Sequence, residues 1–161
     1  MSTEIRIEGD TLYMTRVFAA PREQVFEAWV ETSKVQQWWG CAQTTNVRSE
    51  IEPRVGGSYT HMMTLDGMGE MPRSMCAAVF TEYDPPKRLA YAPPAAESDD
   101  DTDASAPTGM TVTVDFVEVD GGTEVRLVHS GLPTEARPFV RAGWGAAMDK
   151  LHAFLRAESV A

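Results

Sequence analysis

The chain has 161 residues, a formal net charge of −10 and 43% apolar content, which suits one domain able to build its own core without disulfides or metals. So acidic a surface excludes nucleic acid and anionic membrane as partners; Glu97, Asp99, Asp100, Asp101 and Asp103 supply five of the negatives within one short stretch. The polar start STEIRIEGD lacks an apolar signal region and no apolar run approaches the ~20 residues of a membrane span, so a cytoplasmic protein with reduced Cys41 and Cys76 is expected.

Residues 11–18, TLYMTRVF, are β-branched and aromatic and read as a strand. Ala20-Pro21 follows, and proline suits a first helical turn because its missing N–H would be unpaired there. Val25, Phe26 and Trp29 share one helical face. Thr32 or Ser33 is expected to cap a second short helix ending at Trp38, with Gly40 as its stop. Residues 44–52 read as a strand, and Gly56-Gly57 break the chain. Residues 58–65 look extended, Asp66-Gly67 signals a hairpin, and 71–83 return as one long strand. After the turn at Asp84-Pro85-Pro86, residues 87–92 make another strand. Residues 93–109 lack bulky apolar side chains, so a mobile acidic loop is expected at about 95–108, inside a single domain spanning 1–161. Residues 110–119 alternate, Asp120-Gly121-Gly122 turns, and TEVRLVHS pairs back. From Phe139 to Leu155, apolar residues recur with helical spacing over about five turns.

The order is strand, two helices, about six strands, long helix. Tight turns between successive strands imply an antiparallel sheet, whose apolar face must be covered. The C-terminal helix is the one long amphipathic element available. The expected class is α+β, with a curved antiparallel sheet of about six or seven strands wrapped around that helix.

That order resembles the helix-grip fold of the START-like (SRPBCC) superfamily, which includes the birch-pollen allergen Bet v 1 and polyketide cyclases. The run TRVFAAPREQVFEAWVETSKVQQWWG narrows it. It is similar to the N-terminal signature of the heat-shock-protein-90 ATPase activator homologue (Aha1-like) family, carried here by Arg16, Ala20-Pro21, Val25 to Trp29, and Trp38 to Gly40. Gly56-Gly57 and Gly143-Trp144 followed by Leu151 also fit. Cys41 stands where the family often carries proline, and the acidic segment looks like an insertion. The resemblance implies a cavity between sheet and long helix, and a chaperone as a further partner.

Adjacent tryptophans on a helix diverge by roughly 100°, so Trp38 and Trp39 cannot enter the same core; Trp39 is expected to line a pocket. In SYTHMMTL, strand parity puts Tyr59, His61, Met63 and Leu65 on the more apolar face. His61 reads either as a hydrogen-bonded core residue or as a polar contact to a ligand. No nucleophile or carboxylate partner can be placed beside it, so catalytic residues stay unassigned. The histidines are dispersed, and Asp99-x-Asp101-x-Asp103 lacks the glycine and distal acid of a calcium loop, so neither metal nor cofactor is expected. The methionines suit either a plastic core or an adaptable apolar pocket. The leading expectation is a binding module for a small, mainly hydrophobic molecule, lined by Trp39, Tyr59, His61, Met63, Phe80, Tyr91, Phe116, Trp144 and Met148. A cyclase- or hydrolase-like enzyme acting on such a ligand, and a chaperone activator, are the alternatives.

Overall fold

Alternating side chains and a two-residue turn build the first hairpin. β1 (Glu4–Glu8) pairs antiparallel with β2 (Thr11–Phe18) around Gly9-Asp10, where Gly9 takes a φ of +59° that a side chain would resist. The structure, a computed structural model, describes residues 3–39, 44–65, 74–76, 78–92, 111–132 and 134–160; for 44–47, 62–65, 74–76, 136, 139, 159 and 160 it describes the backbone. Expectations for Gly40, Cys41, the Asp66-Gly67 hairpin and the acidic segment lie outside the described residues.

β2 has one buried face, formed by Leu12, Met14, Arg16 and Phe18. Two helices follow. α1 (Arg22–Val30) buries Val25, Phe26, Ala28 and Trp29, and α2 (Thr32–Trp38) buries Val35 and Trp38. The expected Thr32 or Ser33 cap is corrected: the N-cap position is Glu31, with no side-chain cap bond. The two helices instead abut, and the Glu31 carbonyl accepts the Lys34 and Val35 N–H groups. Three further strands are β3 (Thr44–Ile51), β4 (Tyr59–Leu65) and β5 (Ser74–Cys76). β6 (Val79–Asp84) and β7 (Arg88–Ala92) flank the proline turn. β8 (Thr111–Val119) and β9 (Gly122–Ser130) form the hairpin turned at Asp120-Gly121. The single long strand expected over 71–83 is divided into β5 and β6. β1 is a strand that the sequence pattern leaves unassigned.

Every pairing is antiparallel. One sheet runs β1-β2-β9-β8-β7-β6 and the other β3-β4-β5. A bridge between Ser58 and Val79, with Tyr59 N–H on the Ala78 carbonyl and Phe80 N–H on the Gly57 carbonyl, joins the two. After a short 3-10 turn comes α3 (Arg137–Val160). It touches β1, β2 and α2, and Trp144, Ala147, Met148, Leu151 and Leu155 enter the same core cluster as the inward residues of β2, β8 and β9. Burying a side chain such as Leu151 or Met148 contributes about 1.5–3 kcal/mol, which holds the helix on the sheet.

Polar ties fix the layers. Arg16, buried on the inner face of β2, donates through Nη1 to Thr3 Oγ1 at 2.9 Å and to Asp149 Oδ1 at 2.7 Å, linking β2 to α3 and to the residue just before β1. Lys34 meets Glu27, Glu31 and Glu158 at 3.2, 3.2 and 3.6 Å, which ties α1, α2 and the end of α3.

The Gly56-Gly57 break has two different causes. Gly56 has a φ of +81°, whereas a Cβ on Gly57 would sit 2.2 Å from the Glu52 carbonyl oxygen. That oxygen belongs to the backbone and cannot swing away. Gly57→Ala is therefore expected to cost about 1–3 kcal/mol as an overpacking change, read as a lowered urea midpoint with an unchanged slope.

Candidate functional site

Strand parity turns Tyr59 and His61 of β4 inward, both nearly fully buried. The end of α2 brings Trp39 over them. Its indole stacks on the His61 ring, with centroids 3.9 Å apart and planes 26° from parallel. Tyr59 meets His61 edge-on at 4.4 Å and packs against Tyr91 at 4.6 Å and Phe80 at 4.9 Å. Trp144, from α3, lies 6.0 Å from both Trp39 and Trp29, and Trp29 reaches Phe116 at the same separation. The expectation that Trp38 and Trp39 cannot enter the same core is corrected: Trp39 is the C-cap residue of α2 with extended backbone, so the helical divergence does not apply. The two rings lie 5.8 Å apart in one cluster, Trp38 wholly buried with its N–H on the Ala28 carbonyl at 2.8 Å and Trp39 partly open. Lys150 Nζ donates to the Trp39 carbonyl at 3.0 Å, which ties the end of α2 to α3.

Two histidines bring polarity into this aromatic layer. His61 Nδ1 and Ser49 Oγ, on paired positions of β4 and β3, lie 2.7 Å apart. The Gln36 side-chain oxygen accepts the Ser49 backbone N–H at 3.0 Å, fixing that stretch of β3 to α2. His61 Nε2 is buried and has no hydrogen-bond partner among the described residues. Burial pushes the His61 pKa down to about 3, so the ring is neutral near pH 7. Its Nε2 is then a donor when the Ser49 hydroxyl points at Nδ1, and an acceptor in the other tautomer. A ring so reluctant to take a proton is a poor general base at neutral pH. It remains a competent hydrogen-bonding group.

His129, on β9, plays a different part. Its Nδ1 accepts the Trp144 indole N–H at 3.0 Å, fixing that ring across the interior. Burial lowers its pKa to about 4. Accepting at Nδ1 requires the neutral ring with its proton on Nε2.

Of the nine residues expected to line a pocket, the structure joins Trp39, Tyr59, His61, Phe80, Tyr91, Phe116 and Trp144 in one network of ring contacts. Met148 is buried in the same core cluster. The Met63 side chain lies outside the described residues. Sequence reasoning passed over Ser49, which is placed opposite His61 only by the β3–β4 register that the structure supplies. It also passed over the Trp144–His129 bond, because pairing a strand with a helix across the fold has no spacing signature. Two grooves lie elsewhere. One, of about 390 Å³, runs between the start of α1 and the β8–β9 turn. The other, of about 600 Å³, runs between β1 and α3. Among the described residues there is no cluster of three metal-ligating side chains and no helix long and apolar enough to cross a membrane.

A family model described as activator of Hsp90 ATPase homolog 1-like protein matches residues 19–156. No curated protein matches the chain. Solved structures share the fold. A Rhodobacter sphaeroides protein is 22% identical over 97% of this chain and 99% of its own, with a TM-score of 0.75. A Chromobacterium violaceum protein is 23% identical over 89% and 95%, with a TM-score of 0.76. A protein from Aeromonas hydrophila described as AHSA1-like is 21% identical over 94% and 95%, with a TM-score of 0.71.

The neutral histidines give stability a defined pH dependence. Both folded pKa values lie below the usual 6.5, so the unfolded chain takes up protons that the folded chain refuses. Their contribution is complete above pH 6.5 and is lost as pH falls toward 4 and 3. Lowering pH from 8 to 5 is expected to remove about 2 kcal/mol per histidine, about 4 in all. Urea unfolding at the two pH values measures it, and equal stabilities would contradict burial of the two neutral rings.

Proposed function

The chain belongs to the activator of Hsp90 ATPase homolog 1-like family, and on that premise we propose that it binds a small, mainly apolar, uncharged molecule among the aromatic side chains around His61. The reading rests on one observation: His61 is 1% exposed, yet its Nε2 lacks a partner among the described residues. An unsatisfied buried polar group costs about 1–3 kcal/mol. A guest that supplies the missing hydrogen bond converts that cost into affinity and orientation. Apolar surface from Trp39, Tyr59, Phe80, Tyr91, Phe116, Trp144 and Met148 would supply the rest. Because His61 is neutral it offers no countercharge, so an ionised guest would enter at a desolvation cost with nothing from this ring to offset it.

Turnover of such a guest is the weaker reading. His61 leads as the acid–base candidate, with Tyr59 or Tyr91 behind it, and its depressed pKa makes it a weak base at neutral pH. Engagement of a chaperone ATPase is a second reading, supported by the description of the matching family. It predicts retention of the chaperone on the immobilised protein, irrespective of His61.

The double variant Ser49→Ala with His61→Phe separates function from folding. It keeps a ring against Trp39 and removes both polar partners together, a change that is nearly neutral or stabilising in a buried site. Ligand-free stability at pH 8 is expected to be unchanged or higher. Affinity for neutral apolar compounds bearing one carbonyl or hydroxyl, followed by tryptophan fluorescence, is expected to fall about tenfold, equivalent to about 1.4 kcal/mol. No response of the unmodified protein to such a library, or equal affinity in the variant, would remove the proposal.

A further inference from the structure

The first strand and the last helix carry matching charge patterns about one point. Among the described residues β1 pairs with β2 alone, so its other edge offers unpaired backbone groups. Glu8 faces Thr11 across the two-residue turn, and that pair exchanges hydrogen bonds. By alternation Glu8, Arg6 and Glu4 turn their backbone groups to β2, while Thr3, Ile5 and Ile7 turn theirs to the open edge. The side chains of Glu4, Arg6 and Glu8 are exposed; those of Ile5 and Ile7 pack toward the core. Beside this edge lies the groove of about 600 Å³, walled by Thr3 and Ile5 on one side and by Arg141, Ala142, Gly145 and Asp149 on the other. Gly145 sits over Ile5: a Cβ built on it would be 3.9 Å from Ile5 Cδ1.

We infer that this face is a symmetric docking surface for a second copy of the chain. The two β1 strands would pair antiparallel about a two-fold axis at Ile5, continuing the six-stranded sheet from one copy into the other. Ile5 would exchange backbone hydrogen bonds with Ile5 of the second copy, using groups that already point outward. Glu4 of each copy would then face Arg6 of the other, twice. The same axis brings the two α3 helices together, antiparallel, across the groove. Arg141 and Asp149 lie four residues on either side of Gly145, about 6 Å each way along the helix. Arg141 of one copy therefore meets Asp149 of the other, again twice. Asp149 is 77% exposed and engages Arg16 through Oδ1, leaving Oδ2 for the partner, and Arg141 has no ion pair among the described residues. The small Ala142 and Gly145 permit close helix approach.

Charge also selects the register. An axis at Arg6 would set Glu4 against Glu8 and Arg6 against Arg6, all like pairs. An axis at Ile7 restores opposite pairs on the strand, but it slides the helices out of the Arg141–Asp149 match. The Ile5 axis is complementary on both elements, as an isologous interface requires.

Sedimentation equilibrium with charge-swapped chains tests this. The unmodified protein is expected at twice the 17.7 kDa of one chain. Glu4→Arg alone would set arginine against arginine at both cross-strand pairs, and Arg6→Glu alone would set glutamate against glutamate; each is expected to weaken self-association at least tenfold. Mixing the two variants restores opposite charges at both pairs, so a heterodimer is expected from two chains that do not pair with themselves. This separates a lost interface from a damaged fold. A monomeric unmodified protein at concentrations up to about 1 mM, undiminished dimers in both single variants, or no heterodimer on mixing would overturn the inference.

Discussion

A bent antiparallel sheet with one apolar face cannot stand alone in water, and the long C-terminal helix is what covers it. Nearly every other feature follows from that contact. The inward residues of β2, β8 and β9 alternate because the helix lies on one side of the sheet. Trp144, Met148, Leu151 and Leu155 recur at helical spacing because they meet that side. The two short helices fill the remaining opening, with Trp29 and Trp38 buried between α3 and the strands. The Lys150 bond to the Trp39 carbonyl then fixes where the last ring of that layer sits.

Much of this was legible in the residues. Period-two alternation in TVTVDFVEV and TEVRLVHS, separated by Asp-Gly, marked the β8–β9 hairpin because alternation and turn chemistry agree there. The period of the last helix was equally plain. β1 was missed because EIRIE is short and half charged, and its isoleucines are only partly buried, so its pattern resembles a polar tail. The α2 cap was misplaced because threonine and serine at a helix start suggest a cap, whereas the helix begins one turn after another ends and borrows the Glu31 carbonyl. Within the site, parity turned His61 inward correctly once Tyr59 was taken as apolar. Its partner Ser49 was not legible, because cross-strand register depends on a connection whose geometry the residues alone do not specify.

The two buried histidines show how one residue type acquires two roles from its surroundings. His129 spends Nδ1 on an indole N–H and thereby orients Trp144. His61 spends Nδ1 on a serine hydroxyl and leaves its other nitrogen unmet among the described residues. Burial holds both neutral. His129 has no buried ring nitrogen left unmet among the described residues, whereas His61 does. The binding role proposed for His61 rests on that asymmetry more than on the sheer number of aromatic rings.

Arg16 has a wider reach than its single side chain suggests. Its guanidinium, enclosed beneath the helix, grips Thr3 near the beginning of the chain and Asp149 toward the finish. Shortening the protein from the front would deprive an interior cation of a companion, and trimming the back would do the same from the opposite direction. The polypeptide is thus fastened into a loop without any covalent link, and damage at either extremity is felt at the other.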